Sequence, residues 1–189
     1  EMYTNDNDGL FHDYIGLSVD DLQKYYKDNK LLLCPAATKL YQDGGYNPFA
    51  AMDYYGVPAS YGFNSYCNSK RSAGGTTDEF RWNTPYVASR EQVPMVFDCA
   101  GWENATPHYY DVPPLYDGHF IINTSFNEMR YVCLNRHKGA MNMAFCDFSA
   151  RKVGLKQLWN LLWHRKWAEE QAGSPPPVWP AWMQNFKDY

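Results

Sequence analysis

The stretch RHKGAMNMAFCDF, Arg136 to Phe148, decides how this chain is read. His137 and Asp147 stand ten positions apart, with the apolar run from Met141 to Cys146 between them. A catalytic dyad needs its side chains within hydrogen-bond reach, about 3 Å. A strand over 141–147 rises roughly 3.3 Å per residue and holds its ends about 20 Å apart. The pair meets only if the chain doubles back, and MNMAFC contains nothing to turn it. No Ser or Cys nucleophile stands in a recognisable elbow either. The structural alternative fits better. His137-Lys138-Gly139 closes a turn, with Gly139 free to take positive φ. Met143, Phe145 and Asp147 share one face of the strand and Asn142, Ala144 and Cys146 the other. Asp147 then caps the exit by binding backbone amides of the next turn.

Working outward, strand-like pieces precede it: VPMVFDC (93–99), GHFIINTSF (118–126) and MRYVCLN (129–135). With 141–148 they predict an antiparallel meander of three or four strands over 93–150. The segment 154–172 changes period: Leu155, Leu158, Trp159, Leu162 and Trp163 recur at helical spacing and predict an amphipathic helix. The tail 173–189 is proline-stiffened and aromatic, an irregular strap against the body. At the other end, 1–40 is a helical opening region, in which SVDDLQKYYKDNK reads as a short helix capped by Ser18 with Asp21 completing the box. Residues 41–92, rich in Gly, Asn, Ser, Tyr and Pro, read as a loop-rich insertion with at most one short helix. The fold class expected is α+β: one domain, a small antiparallel sheet packed with helices, and long irregular loops.

The 189 residues suffice for one core. A net charge of −4 without a basic stripe argues against nucleic acid as a partner. The 16 Tyr and 7 Trp suit protein contacts or sugar stacking. Cys34, Cys67, Cys99, Cys133 and Cys146 are scattered singly, so zinc spacing is absent. Such cysteines fit one or two disulfides in an oxidising compartment, with buried free thiols as the alternative. No apolar stretch approaches the roughly 18 residues of a membrane span. The opening residues, EMYTNDNDG, suggest that an upstream segment precedes them.

His137 and Asp147 also carry a resemblance. Their spacing is that of the prepilin-type processing-associated H-X9-DG family, and other segments resemble it in the same order: YTNDNDGLF, LLLCP, SYGFNSY, VPMVFDC, VGLKQLWNLLWHRKW and VWPAWMQNFKDY. Phe148 stands where that family has glycine, and phenylalanine resists the positive φ of a tight Asp-Gly hairpin. The resemblance implies a pilin- or pseudopilin-like ectodomain, a non-enzymatic subunit of a type II secretion or type IV pilus-like filament. It implies pilin or pseudopilin partners and secretion-apparatus proteins. It also implies a periplasmic or surface location, with an N-terminal helix outside these residues anchoring the protein in the inner membrane. His137 and Asp147 carry over as motif positions only.

Three further readings compete. Calcium is the one cofactor considered: Asp6 and Asp8 open a calcium-like loop that lacks the acid at position twelve, Leu17 standing there, and Asp111 with Asp117 form an equally incomplete alternative. Carbohydrate binding would use exposed aromatics, for which the tail residues Trp179 and Trp182 are better placed than Trp159, Trp163 and Trp167. An enzyme would draw on His137 with Asp147 or Cys146, or on His108, His119 and His164. Lone histidines among aromatics are more often surface or satisfied core residues, and His164 reads as the edge of a helix.

Overall fold

A computed structural model of the chain describes residues 2–13, 22–69, 78–101, 104–119 and 127–187. The fold is mixed α and β, with two sheets and few helices. The strands are β1 (Lys39–Leu40), β2 (Ala50–Tyr54), β3 (Val57–Ala59), β4 (Tyr61–Asn64), β5 (Pro94–Asp98), β6 (Asn104–Ala105), β7 (Ala140–Phe145) and β8 (Ala150–Gly154). The α-helices that lie wholly within the described residues are α1 (Met2–Asp6), α2 (Met129–Val132) and α3 (Trp167–Gly173). A three-stranded sheet has the order β1-β2-β3, and a five-stranded sheet the order β6-β4-β5-β7-β8.

The expected meander is only part of the larger sheet. Strands β5, β7 and β8 pair antiparallel as neighbours, with Met141 opposite Val153 and Met143 opposite Arg151. Strands β2, β3 and β4 come from the segment read as loop, and the two-residue strands β1 and β6 lie outside it. Tyr61–Asn64 enters the large sheet antiparallel to β5 and parallel to β6. β2 and β3 form a hairpin whose turn residues, Tyr55 and Gly56, take φ of 47° and 85°. Asp53 Oδ1 accepts the Gly56 N–H at 2.7 Å and locks that turn. The Gly and Asn content that suggested loop is thus turn chemistry between short strands.

Two segments change class. MRYVCLN is helical at Met129–Val132, and Met129, Val132 and Cys133 are buried at i, i+3 and i+4. Its start is fixed by Asp111, whose Oδ2 accepts the Met129 N–H at 3.0 Å. The single helix expected over 154–172 is two pieces, a 3-10 helix at Leu155–Asn160 and α3. Between them the backbone bonds elsewhere: Leu162 N–H donates to the Gln92 carbonyl and Arg165 N–H to that of Phe80. The Trp163 carbonyl accepts from the Asn64 amide at 2.9 Å and the Trp82 indole at 3.1 Å. These tertiary partners compete successfully with the i to i−4 ladder. The tryptophans are core as expected: Trp159, Trp163 and Trp167 are buried with Phe97, Met141, Met143 and Phe145. A second cluster gathers Phe11, Phe63, Tyr54, Ala59 and Val93. The proline-rich tail lies on the first cluster through buried Met183 and partly buried Trp179, Trp182 and Phe186.

The Ser18–Asp21 cap and the strand expected at 118–126, beyond His119, lie outside the described residues. Among the described residues no helix is long and apolar enough to cross a membrane.

Candidate functional site

His137 and Asp147 do not meet. Asp147 turns into its own loop, where its carboxylate accepts the Ser149 N–H at 3.0 Å and the Ser149 hydroxyl at 2.7 Å. Those bonds hold its carboxyl below the ordinary range. The tight hairpin disfavoured by Phe148 nevertheless forms: Phe145 N–H donates to the Ser149 carbonyl at 2.9 Å, and Phe148 itself takes φ of 64°. Pairing of β7 with β8 outweighs the strain of a left-handed aromatic residue.

His137 sits at the opposite end of β7 in a turn that takes its expected form, with Gly139 at φ 83° and its N–H on Asn135 Oδ1. Its Nε2 lies 3.1 Å from Asp98 Oδ2, 3.3 Å from Cys34 Sγ and 3.0 Å from the Asn142 amide. Asp98, at the end of β5, is fully buried. Its Oδ2 accepts the Asn142 N–H at 2.8 Å, and its Oδ1 faces Arg136 Nη1 at 3.4 Å. Arg136 is buried as well and spends its other donors on backbone: Nε on the Pro48 carbonyl, Nη1 on Ser60 and Nη2 on Ala50, at 2.7, 2.7 and 3.1 Å. One guanidinium thereby ties β2 and the β3–β4 connection to the aspartate of β5. Burial, reinforced by the Asp98 charge, pushes the Cys34 thiol up to about 11. Burial with the neighbouring Cys34 and Asp98 pushes Tyr61 up to about 12, and its phenol shares a hydrogen bond with the Cys34 thiol. Tyr61 and Asn142 also line a groove of about 390 Å³ that runs along Ala144, Ala150 and Lys152.

A second polar cluster lies near α3. Glu170 Oε1 faces His108 Nδ1 at 3.2 Å, and Oε2 faces His164 Nε2 at 3.3 Å while accepting the Tyr109 N–H at 3.1 Å. His108 Nε2 meets the Tyr66 hydroxyl at 2.9 Å. His164 is fully buried, contrary to its reading as an edge residue, because Tyr66, Phe80 and Trp167 pack their rings around it. Burial lowers its imidazole to about 4, with Glu170 opposing that fall. The Lys166 N–H donates to His164 Nδ1 at 3.2 Å, so the proton of the neutral ring stands on Nε2, facing Glu170. That nitrogen is buried and makes no hydrogen bond, although Glu170 Oε2 lies 3.3 Å away.

The remaining expected site residues are employed individually. Asp6 accepts the Tyr25 hydroxyl at 2.9 Å, and Asp8 takes φ of 53° in the turn that follows α1. Asp111 is buried and accepts the N–H groups of His108 and Met129, whereas Asp117 accepts that of Asn135. Burial raises both carboxyls, Asp111 to about 7. His119 is buried, and its Nδ1 accepts the Leu115 N–H at 3.3 Å. Trp179 packs edge-on against Trp159, and Trp182 donates its indole N–H to the Pro114 carbonyl at 2.7 Å, so neither stands free on the surface. Among the described residues the exposed aromatics are tyrosines, including Tyr41, Tyr46 and Tyr55.

All five cysteines are buried free thiols, and the expected disulfides are not formed. Cys34 sits among His137, Asp98 and Tyr61, whereas the Cys67 thiol shares a hydrogen bond with that of Cys146. Arg136, Asp98, Asn142 and Asn64 escaped the sequence reading. The one signal present was the acid ending VPMVFDC, since a carboxylate closing an apolar strand needs a buried partner. Compared with known protein families, curated proteins and solved structures, the chain matches none.

Proposed function

We propose that this chain is a pilin-like ectodomain, a non-enzymatic subunit of a type II secretion or type IV pilus-like filament. The observation that carries the reading is the separate use of the two motif residues. His137 braces the start of β7 against Asp98 of the neighbouring strand, and Asp147 fastens the turn at its end through Ser149. Both serve the geometry of one strand, as a building block requires and a dyad does not. The order of the resembling segments along the chain adds to it. Edge strand β8 places Arg151 and Lys152 in solvent, which blunts sheet-to-sheet pairing and leaves assembly to other surfaces. On this reading the partners are other pilin or pseudopilin subunits, the location is the periplasm or cell surface, and a helix outside these residues anchors the protein in the inner membrane. The test is fractionation of cells producing the full-length protein, with mass spectrometry of its mature N terminus. An apolar helix processed by a prepilin peptidase and recovered with the inner membrane is expected. An unprocessed cytosolic protein would overturn the proposal.

Carbohydrate binding is the second reading. Exposed Tyr41 favours it, standing beside Gln42 and Asp53 on a groove of about 290 Å³, whereas the tail tryptophans do not. A glycan array that stays silent would remove it.

A further inference from the structure

We propose that Cys34, Asp98 and His137 bind one divalent cation of the zinc class. Their ligand atoms, Sγ, a carboxylate oxygen and Nε2, all lie within 4.8 Å of one another. Two of the separations are 3.3 Å for Sγ to Nε2 and 3.1 Å for Nε2 to Oδ2. Zinc sits about 2.3 Å from sulfur and about 2.0–2.2 Å from nitrogen or oxygen, so neighbouring donors in a tetrahedral shell stand about 3.3–3.6 Å apart. Those two separations match the shell to within a few tenths of an ångström, and the third lies within 4.8 Å.

The hydrogen bonding around Nε2 points the same way. With the Asn142 amide nitrogen facing the ring, Nε2 cannot donate to Asp98 and accept from that amide at once, so either the amide turns its Oδ1 to the ring or an ion lies between the donors. An ion between the three donors takes the lone pair of Nε2 and relieves that conflict. The Asn142 amide then turns to present Oδ1 toward the fourth position. The supporting shell is already built. Arg136 holds Asp98 Oδ1 and leaves Oδ2 for the ion, and the Asn142 N–H orients that oxygen. Tyr61 and Asn142 border the trio and line the adjoining groove, which gives the ion a path from solvent. A mixed sulfur, nitrogen and oxygen set selects zinc or cobalt over calcium or magnesium, which take oxygen alone. On binding, the Cys34 thiol gives its proton to solvent and the sulfur coordinates as thiolate. This inference uses the same His137–Asp98 contact as the filament reading but requires no partner subunit, so its test stands apart from that one.

The test uses the full chain, reduced and stripped with a chelator, then titrated with Zn²⁺ by calorimetry and with Co²⁺ by absorption. One equivalent should bind, and Co²⁺ should give a near-ultraviolet thiolate-to-cobalt band with the intense visible bands of a four-coordinate ion. Cys34→Ser should abolish the thiolate band and weaken zinc binding by about 100-fold or more, whereas His108→Gln, in the other polar cluster, should change neither. If Cys34→Ser does not fold, His137→Gln serves: it keeps the sulfur and should weaken zinc binding to a similar degree. Failure of the wild-type chain to bind one equivalent, a thiolate band that survives Cys34→Ser, or zinc affinity unchanged in His137→Gln would each overturn the site.

Discussion

At the scale of single residues, Phe148 and Asp111 are each held against their own preference. Phe148 occupies the left-handed region at φ 64°, which costs an L-residue roughly 1–2 kcal/mol relative to glycine. Phe148→Gly should therefore stabilise the chain by about 1 kcal/mol in urea unfolding. Phe148→Ala, which keeps the strain and loses the ring, should not. Asp111 is raised to about 7 by burial, so the folded chain binds its proton more tightly than the unfolded chain does. A carboxyl of that kind contributes stability in acid that is lost as pH rises from about 4 to about 7. His164 works in the opposite sense. Its folded value of about 4 lies below the ordinary one, so its contribution is complete above about 6.5 and fades as pH falls toward 4. The two slopes oppose each other in the wild-type chain. Asp111→Asn should expose the His164 slope, and the stability difference between wild type and variant should shrink by about 4 kcal/mol between pH 4 and 7. Denaturant midpoints measured across that range check both signs.

At the scale of elements, the contrast between β7 and the tryptophan segment is instructive. The alternation of β7 was legible because its pattern is set by its own residues: Met141, Met143 and Phe145 face the core at period two. The tryptophan segment had helical spacing and kept its burial, yet its backbone is helical only at the two ends. The competitor is Asn64. Its Nδ2 donates to the Pro94 carbonyl at 2.8 Å and to that of Trp163, and its Oδ1 accepts the Tyr66 N–H at 3.1 Å. This one amide joins β4, β5 and the break in the tryptophan segment. Asn64→Ala strands buried backbone groups and should cost about 2–4 kcal/mol, measured by tryptophan fluorescence in urea. Likewise MRYVCLN carries strand-like composition, and only its i, i+3, i+4 burial pattern distinguished the helix. Four residues are too few for that pattern to outweigh composition.

At the scale of the whole molecule, Arg136 joins the two sheets. It reaches Ala50 of β2, Ser60 between β3 and β4, and Asp98 of β5. Arg136→Met leaves Asp98 buried without its cation and should destabilise the chain by about 3–5 kcal/mol. Arg136→Met combined with Asp98→Asn should recover part of that loss, because the uncompensated charge is gone. A thermal unfolding series of the wild type, Arg136→Met, Asp98→Asn and the double variant measures the coupling. The sequence by itself determined that Trp159, Trp163 and Trp167 enter the core, that the chain turns at Gly139 and where β5 and β7 run, since burial periodicity and turn chemistry act over a few neighbours. Only the tertiary structure decided that Cys34, Asp98 and His137 converge, that Asn64 interrupts a helix and that two sheets share one arginine. Those contacts join segments far apart in the chain, and no local spacing encodes a meeting that depends on how every intervening element packs.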